Sequence, residues 1–271
     1  TRTDNIFLSS CWYSNDTYLV NTTLAGCGNI TTVTWSEGKH NIRIYVNDTA
    51  NNVDLSTRTF TVDTTIPYIN FTFPTSSSGN QSYNAIWVNI TANDSSTLIT
   101  GINISLHNST GIVNSTFSGT SPLFVNFTGL IDGTYKINAT ANDTLNNKNN
   151  TETRTIQIDT TAPSINITNP GQNNTNSSNN SLDINYTRSD SVGLSSCWYS
   201  NDSYSVNTTL ASCTNITDIV WGDALHNVTI WANDTTNQVN QSSISFTIDT
   251  TNPTIDYASP TDNNDTSFAR N

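Results

Sequence analysis

The segment EGKHNIRIYVND, residues 37–48, alternates without a break: His40, Ile42, Ile44 and Val46 share one side of an extended chain, and Asn41, Arg43, Tyr45 and Asn47 share the other. A period of two with β-branched residues on one face is the pattern of a half-buried strand. The same writing returns as DGTYKINATAND at 132–143 and DALHNVTIWAND at 223–234. Further strands are expected at 68–73, 86–91, 101–107, 123–128, 135–141 and 153–158, separated by clusters of Gly, Asn, Asp and Ser, with no helical stripe between them. Six or seven short strands in about 90 residues predict an antiparallel β-sandwich, so the fold class is all-β.

The chain repeats itself. Residues 1–65 align with 187–251 without a gap, and 38 of the 65 positions are identical, including LSSCWYSND, VNTTLA and DTT. Within that 186-residue period the motif DTTxP occurs at Asp63, Asp159 and Asp249, so each half-period is one domain. Pro67, Pro163 and Pro253 hold the preceding residue extended and mark linkers that lead into a strand. Four segments follow: a Cys-bearing unit at 1–63 that lacks its first strands, a Cys-free unit at 64–159, a Cys-bearing unit at 160–249, and the opening of a further unit at 250–271.

Tandem units that end in DTTxP after a YVNDTANN or ATANDTLNN turn resemble the immunoglobulin-like repeats of archaeal and bacterial cell-surface and extracellular filament proteins. The WYSND strand is similar to the YSLDG strand of such repeats. The resemblance implies a linear array of immunoglobulin-like sandwiches, and it leaves function open, because these modules build stalks, layers and filaments alike. Asn replaces the usual turn glycines here, and a Cys pair is added. Tyr135, His40 and His226 align at the start of a late strand, where immunoglobulin-like sandwiches carry a tyrosine corner.

Composition narrows the chemistry. The 271 residues include 42 Asn, 47 Thr and 33 Ser but only 3 His and no Met, and the net charge is −12. That charge repels nucleic acid, so no nucleic-acid partner is expected. Hydrophobic residues at 34% suffice for a core and exclude a disordered chain. No apolar run reaches bilayer length, so the segment holds no expected membrane span. No nucleophile elbow, zinc-protease helix, phosphate loop or carboxylate constellation is written, and neither an enzyme nor a cofactor is expected.

Cys11 and Cys27 are sixteen apart, as are Cys197 and Cys213, which predicts two copies of one disulfide, a staple tying a strand to its neighbour or loop. It also predicts an oxidising compartment, extracellular or on the cell surface. Two Cys and one His per unit fall short of a zinc set. Asp48, Asp143 and Asp234 close hairpins, and Asp63, Asp159 and Asp249 mark linkers. They read as isolated turn-binding residues and not as a calcium cage, so no metal is expected. Trp12 and Trp198, beside a Cys, are expected to fill the core, and His40 and His226 to serve the fold.

The sequence carries 27 acceptor motifs Asn-x-Ser/Thr, against about 12 expected from its hydroxyl content. At Asn29, Asn70, Asn89, Asn103, Asn126, Asn166, Asn185, Asn215 and Asn227 the middle residue is apolar, which turns the Asn outward from a strand. Asn15, Asn47, Asn142, Asn201 and Asn233 fall in turns. The others are Asn21, Asn80, Asn93, Asn108, Asn114, Asn138, Asn149, Asn173, Asn176, Asn179, Asn207, Asn240 and Asn264. The expectation is a coat of covalent N-glycans on a structural segment of an extracellular filament or surface layer. The alternative is the stalk of an adhesin whose binding tip lies elsewhere.

The chain opens on Thr1-Arg2-Thr3-Asp4, which aligns with the interior of a repeat. The tail 250–271 aligns with the start of one, so head and tail read as complementary fragments. Identical chains, or adjacent repeats, are therefore expected to join head to tail, one supplying the opening strand of the other.

Overall fold

The computed structural model of the chain describes residues 7–256. The head 1–6 lies outside the described residues, as do 257–271, with Asn264 and most of the expected opening strand. Among the described residues the chain is built of β-strands, with two short 3-10 turns, Ala25–Cys27 and Ala211–Cys213. It divides into two compact units, 1–79 with 84–157, and 80–83 with 158–271.

In the first unit, Thr22–Thr23, Leu8–Asn15, Gly38–Asp48 and Val53–Val62 form one antiparallel sheet in that order. The same unit holds a sandwich. One of its sheets runs Leu123–Thr128, Ala85–Asn93, Tyr68–Thr72. The other runs Arg154–Ile158, Gly133–Asp143, Ile99–Asn108, Gly111–Ser118, with Lys148–Asn150 also on Gly133–Asp143. Ile86, Val88 and Ile90 of the one sheet and Ile102, Ile104, Leu106, Ile137 and Ile156 of the other are fully buried. Each contributes about 1.5–3 kcal/mol by leaving water, and the alternation of the strands puts all of them on inner faces.

The second unit pairs a small sheet, Ser164–Asn169 with Asn185–Ser189, with a five-stranded one ordered Thr175–Ser177, Val239–Ile248, Ala224–Asp234, Leu194–Asn201, Thr208–Leu210. Between Cys213 and Ala224 no strand forms. Ile216 instead exchanges both backbone bonds with Ile184, at 2.9 and 3.0 Å. The buried Trp221 donates its indole N–H to the Leu182 carbonyl at 2.9 Å, so an irregular segment closes the sandwich edge.

The two Cys-bearing copies share strands and differ in cover. Val228 and its counterpart Ile42 are both buried, but Ile230, Ala232 and Phe246 of the second copy are 0% exposed. The counterparts of those three, Ile44, Val46 and Phe60, are only partly buried. In the second unit Tyr186 of the small sheet belongs to the core cluster, and Ile165 and Ile167 pack against it. Among the described residues no equivalent sheet lies over the first copy.

The expected strands appear within a few residues of their bounds. Val53–Val62 and Gly111–Ser118 were not expected. Both are almost wholly exposed, so the apolar alternation that reveals a strand in sequence is absent from them.

Candidate functional site

Both disulfides form as the spacing predicts, Cys11 with Cys27 and Cys197 with Cys213, each with Cα atoms 5.0 Å apart. The first Cys of each pair lies on a strand with its side chain in the core, and the second ends the 3-10 turn, so the bridge ties a strand to its own loop. Trp12 and Trp198 correct the expectation of core filling. Alternation that turns Cys11 and Cys197 inward turns the next residue outward. Trp12 stacks on Tyr45 (centroids 5.4 Å) and Trp198 on Trp231 (6.3 Å), as cross-strand pairs on the outer face.

The corner is present in all three copies with two chemistries. Buried Tyr135 donates its hydroxyl to the Ile131 carbonyl, four residues back, at 3.1 Å. His40 and His226 reach the Ser36 and Gly222 carbonyls, also four residues back, through Nε2 at 2.7 and 2.8 Å. Their Nδ1 atoms meet the carboxylates of Asp16 (3.2 Å) and Asp202 (3.0 Å). At His40 two acceptors ask for two N–H donors, which is the protonated ring. The Ser36 carbonyl first, and then Asp16, hold the His40 pKa above its ordinary value. The Asn41 amide first, and then His40, hold Asp16 below its ordinary value.

Stability linked to His40 is therefore complete below the unfolded histidine pKa, about 6.5, and is lost as pH rises through the higher folded value. Stability linked to Asp16 is complete above about 3.9 and is lost as pH falls through its lower folded value. Thermal midpoints of the intact chain and of His40→Tyr, taken at pH 5.5 and 8.5, are expected to show a drop toward pH 8.5 in the parent that is reduced in the variant. Equal pH dependence in both would remove His40 from the linkage.

The hairpin aspartates bind their turns as read. Asp48, Asp143 and Asp234 each accept two backbone N–H groups, two and four residues on, at 2.7–3.0 Å. The linker aspartates Asp63 and Asp249 accept the amide of the Thr two residues on, at 3.1 and 3.0 Å. For Asp63, Asp143, Asp159 and Asp234 the reading as isolated residues is corrected. Folding gathers one carboxylate oxygen each of Asp63, Asp94 and Asp143 within 4.8 Å, and does the same for Asp159, Asp190 and Asp234. Asp94 and Asp190 carried no signal in the sequence beyond their place after a strand.

None of the 26 acceptor Asn among the described residues is buried. In the strand-face set the middle residue is buried at seven of nine, and Ile30 and Ile167 pack partly on a core. Not every side-chain amide is equally presented. Asn149 and Asn240 donate to the carbonyls of the linker prolines Pro67 and Pro163, and Asn89 to that of Phe73. His107, half-buried on strand Ile99–Asn108, pairs across from Lys136 and joins no cluster of His, Cys, Asp or Glu among the described residues. No helix among the described residues is long and apolar enough to cross a membrane.

Several solved structures are similar to the chain. The tetra-tandem repeat in the extending region of a large adhesion protein is 17% identical, with 89% of this chain and 66% of that chain covered and a TM-score of 0.44. A structure described for host cell surface retention of a 1.5-MDa bacterial ice-binding adhesin is 15% identical, with 91% and 89% covered and a TM-score of 0.35. The fibronectin(III)-like modules of Clostridium thermocellum CbhA are 17% identical, with 67% and 94% covered and a TM-score of 0.32. No curated protein matches the chain in sequence. Residues 123–187, from the second half of the Cys-free sandwich into the next, match the Bacterial Ig-like domain (group 3) family.

Proposed function

We propose that the chain is a non-enzymatic structural repeat segment of an extracellular protein, coated with N-linked glycans and joined head to tail into a filament or surface layer. The observation that carries this reading is the surface: 26 acceptor Asn among the described residues, none buried, on a duplicated and disulfide-stapled sandwich. The half-covered sheet of the first Cys-bearing copy supports the joining. Its Ile44, Val46 and Phe60 keep exposure that a supplied strand would remove, whereas their counterparts in the second copy are buried beside the small sheet of their own unit. The donor in this reading is segment 250–271 of a second copy or of an adjacent repeat, and a repeated heterologous contact does not close on itself.

Two measurements test the proposal. Peptide mass spectrometry of native material is expected to find glycan at Asn29, Asn103, Asn126 and Asn166; bare Asn at all four removes the coat. Electron microscopy of the same material is expected to show identical units end to end. A stalk ending in a distinct terminal domain would replace the filament with the adhesin reading.

A further inference from the structure

We propose that Asp159, Asp190 and Asp234 form a binding site for a divalent cation of calcium type. All three belong to the second unit and come from separate stretches of chain: Asp159 follows strand Arg154–Ile158, Asp190 follows Asn185–Ser189, and Asp234 ends Ala224–Asp234. One carboxylate oxygen of each lies within 4.8 Å of the other two, Asp159 and Asp234 are 0% exposed, and Asp190 is half-buried.

The orientation of the carboxylates carries the argument beyond a mere cluster. Asp234 Oδ1 accepts from the Thr236 and Gln238 amides (2.7 and 3.0 Å) and from the Thr236 hydroxyl (2.9 Å). Its Oδ2, wholly buried, has no hydrogen-bond partner. Asp190 repeats the arrangement: Oδ1 accepts from the Val192 and Gly193 amides at 2.8 and 2.7 Å, and the buried Oδ2 has no partner. Each of these carboxylates is thus anchored through one oxygen and presents the other. A buried acceptor without a donor opposes folding, and so do three like charges at this distance. One cation among them removes both penalties.

An all-oxygen set of three carboxylates suits a hard ion over zinc, which favours nitrogen and sulfur. Calcium accepts six to eight oxygens in adaptable geometry, with water filling what the protein leaves open, whereas magnesium demands a near-ideal octahedron. The Asp63, Asp94 and Asp143 triad supplies an internal contrast. There the Asn147 side-chain amide bonds Asp143 Oδ2 at 2.9 Å, so the chain's own donor occupies the oxygen that the matching Asp234 leaves open. The proposal concerns the second triad alone and is independent of glycans and of assembly.

Calorimetric titration of the full, chelator-treated chain with calcium chloride tests it. Binding is expected with an affinity in the range of extracellular calcium modules, about 0.1–1 mM. Asp234→Asn and the half-buried Asp190→Asn are each expected to weaken it at least about tenfold, and Asp143→Asn to leave it unchanged. Circular dichroism checks that the variants fold, and the Asp190 variant, altered at a site that is not fully buried, guards against a folding failure at Asp234. Absence of calcium binding up to roughly 10 mM, an order of magnitude above that range, overturns the proposal. Binding that survives both the Asp190 and Asp234 substitutions overturns it too.

Discussion

Phe246→Ala is expected to lower the local unfolding free energy of the second Cys-bearing sandwich by about 3–5 kcal/mol, the usual cost of emptying a buried phenylalanine site. Phe246 is 0% exposed and meets Trp221 edge to face at 5.1 Å and the His226 ring at 5.5 Å. Its loss opens a cavity under the corner as well as in the core. Hydrogen exchange on peptides covering 224–234 and 38–48 provides the measurement, because each unit reports on itself. Phe60→Ala in the first copy, where the ring is already partly exposed, is expected to cost clearly less. Equal losses at the two positions would show that the difference in cover has no energetic weight.

Removing the second staple, as Cys197→Ala with Cys213→Ala, is expected to cost about 3 kcal/mol from the loop-closure entropy of a ring of this size. The untouched Cys11 and Cys27 pair serves as the control in the same chain. Exchange in peptides 194–201 should quicken while exchange in 8–15 stays as it was. A loss confined to the residues around Cys213, leaving strand Leu194–Asn201 protected, would mean that the bridge pins its loop without holding the sandwich.

The parts of this molecule that were legible in the sequence are those written with a short period or an exact copy. Alternation at His40, Ile42, Ile44 and Val46 placed a strand and its buried face, and the duplicated spacing paired the cysteines. The alignment of Tyr135 with two histidines located the corner. Trp12 was misread because hydrophobicity was weighed above phase: one step beyond an inward Cys11 is outward. The aspartate triads were not legible. Asp159, Asp190 and Asp234 each do a local job that explains them singly, and only folding brings carboxylates so far apart in sequence together.

The position of the disulfides also decides how the chain would answer a pull. Each bridge spans sixteen residues, from a strand to its following turn, and leaves the remainder of its unit outside the ring. Under load along the backbone those residues cannot straighten, which withholds roughly 50 Å of contour length per Cys-bearing unit at about 3.3 Å per residue. Reducing a bridge in a stretched chain would release that reserve as slack, so the chain would lengthen by a fixed step and stay whole.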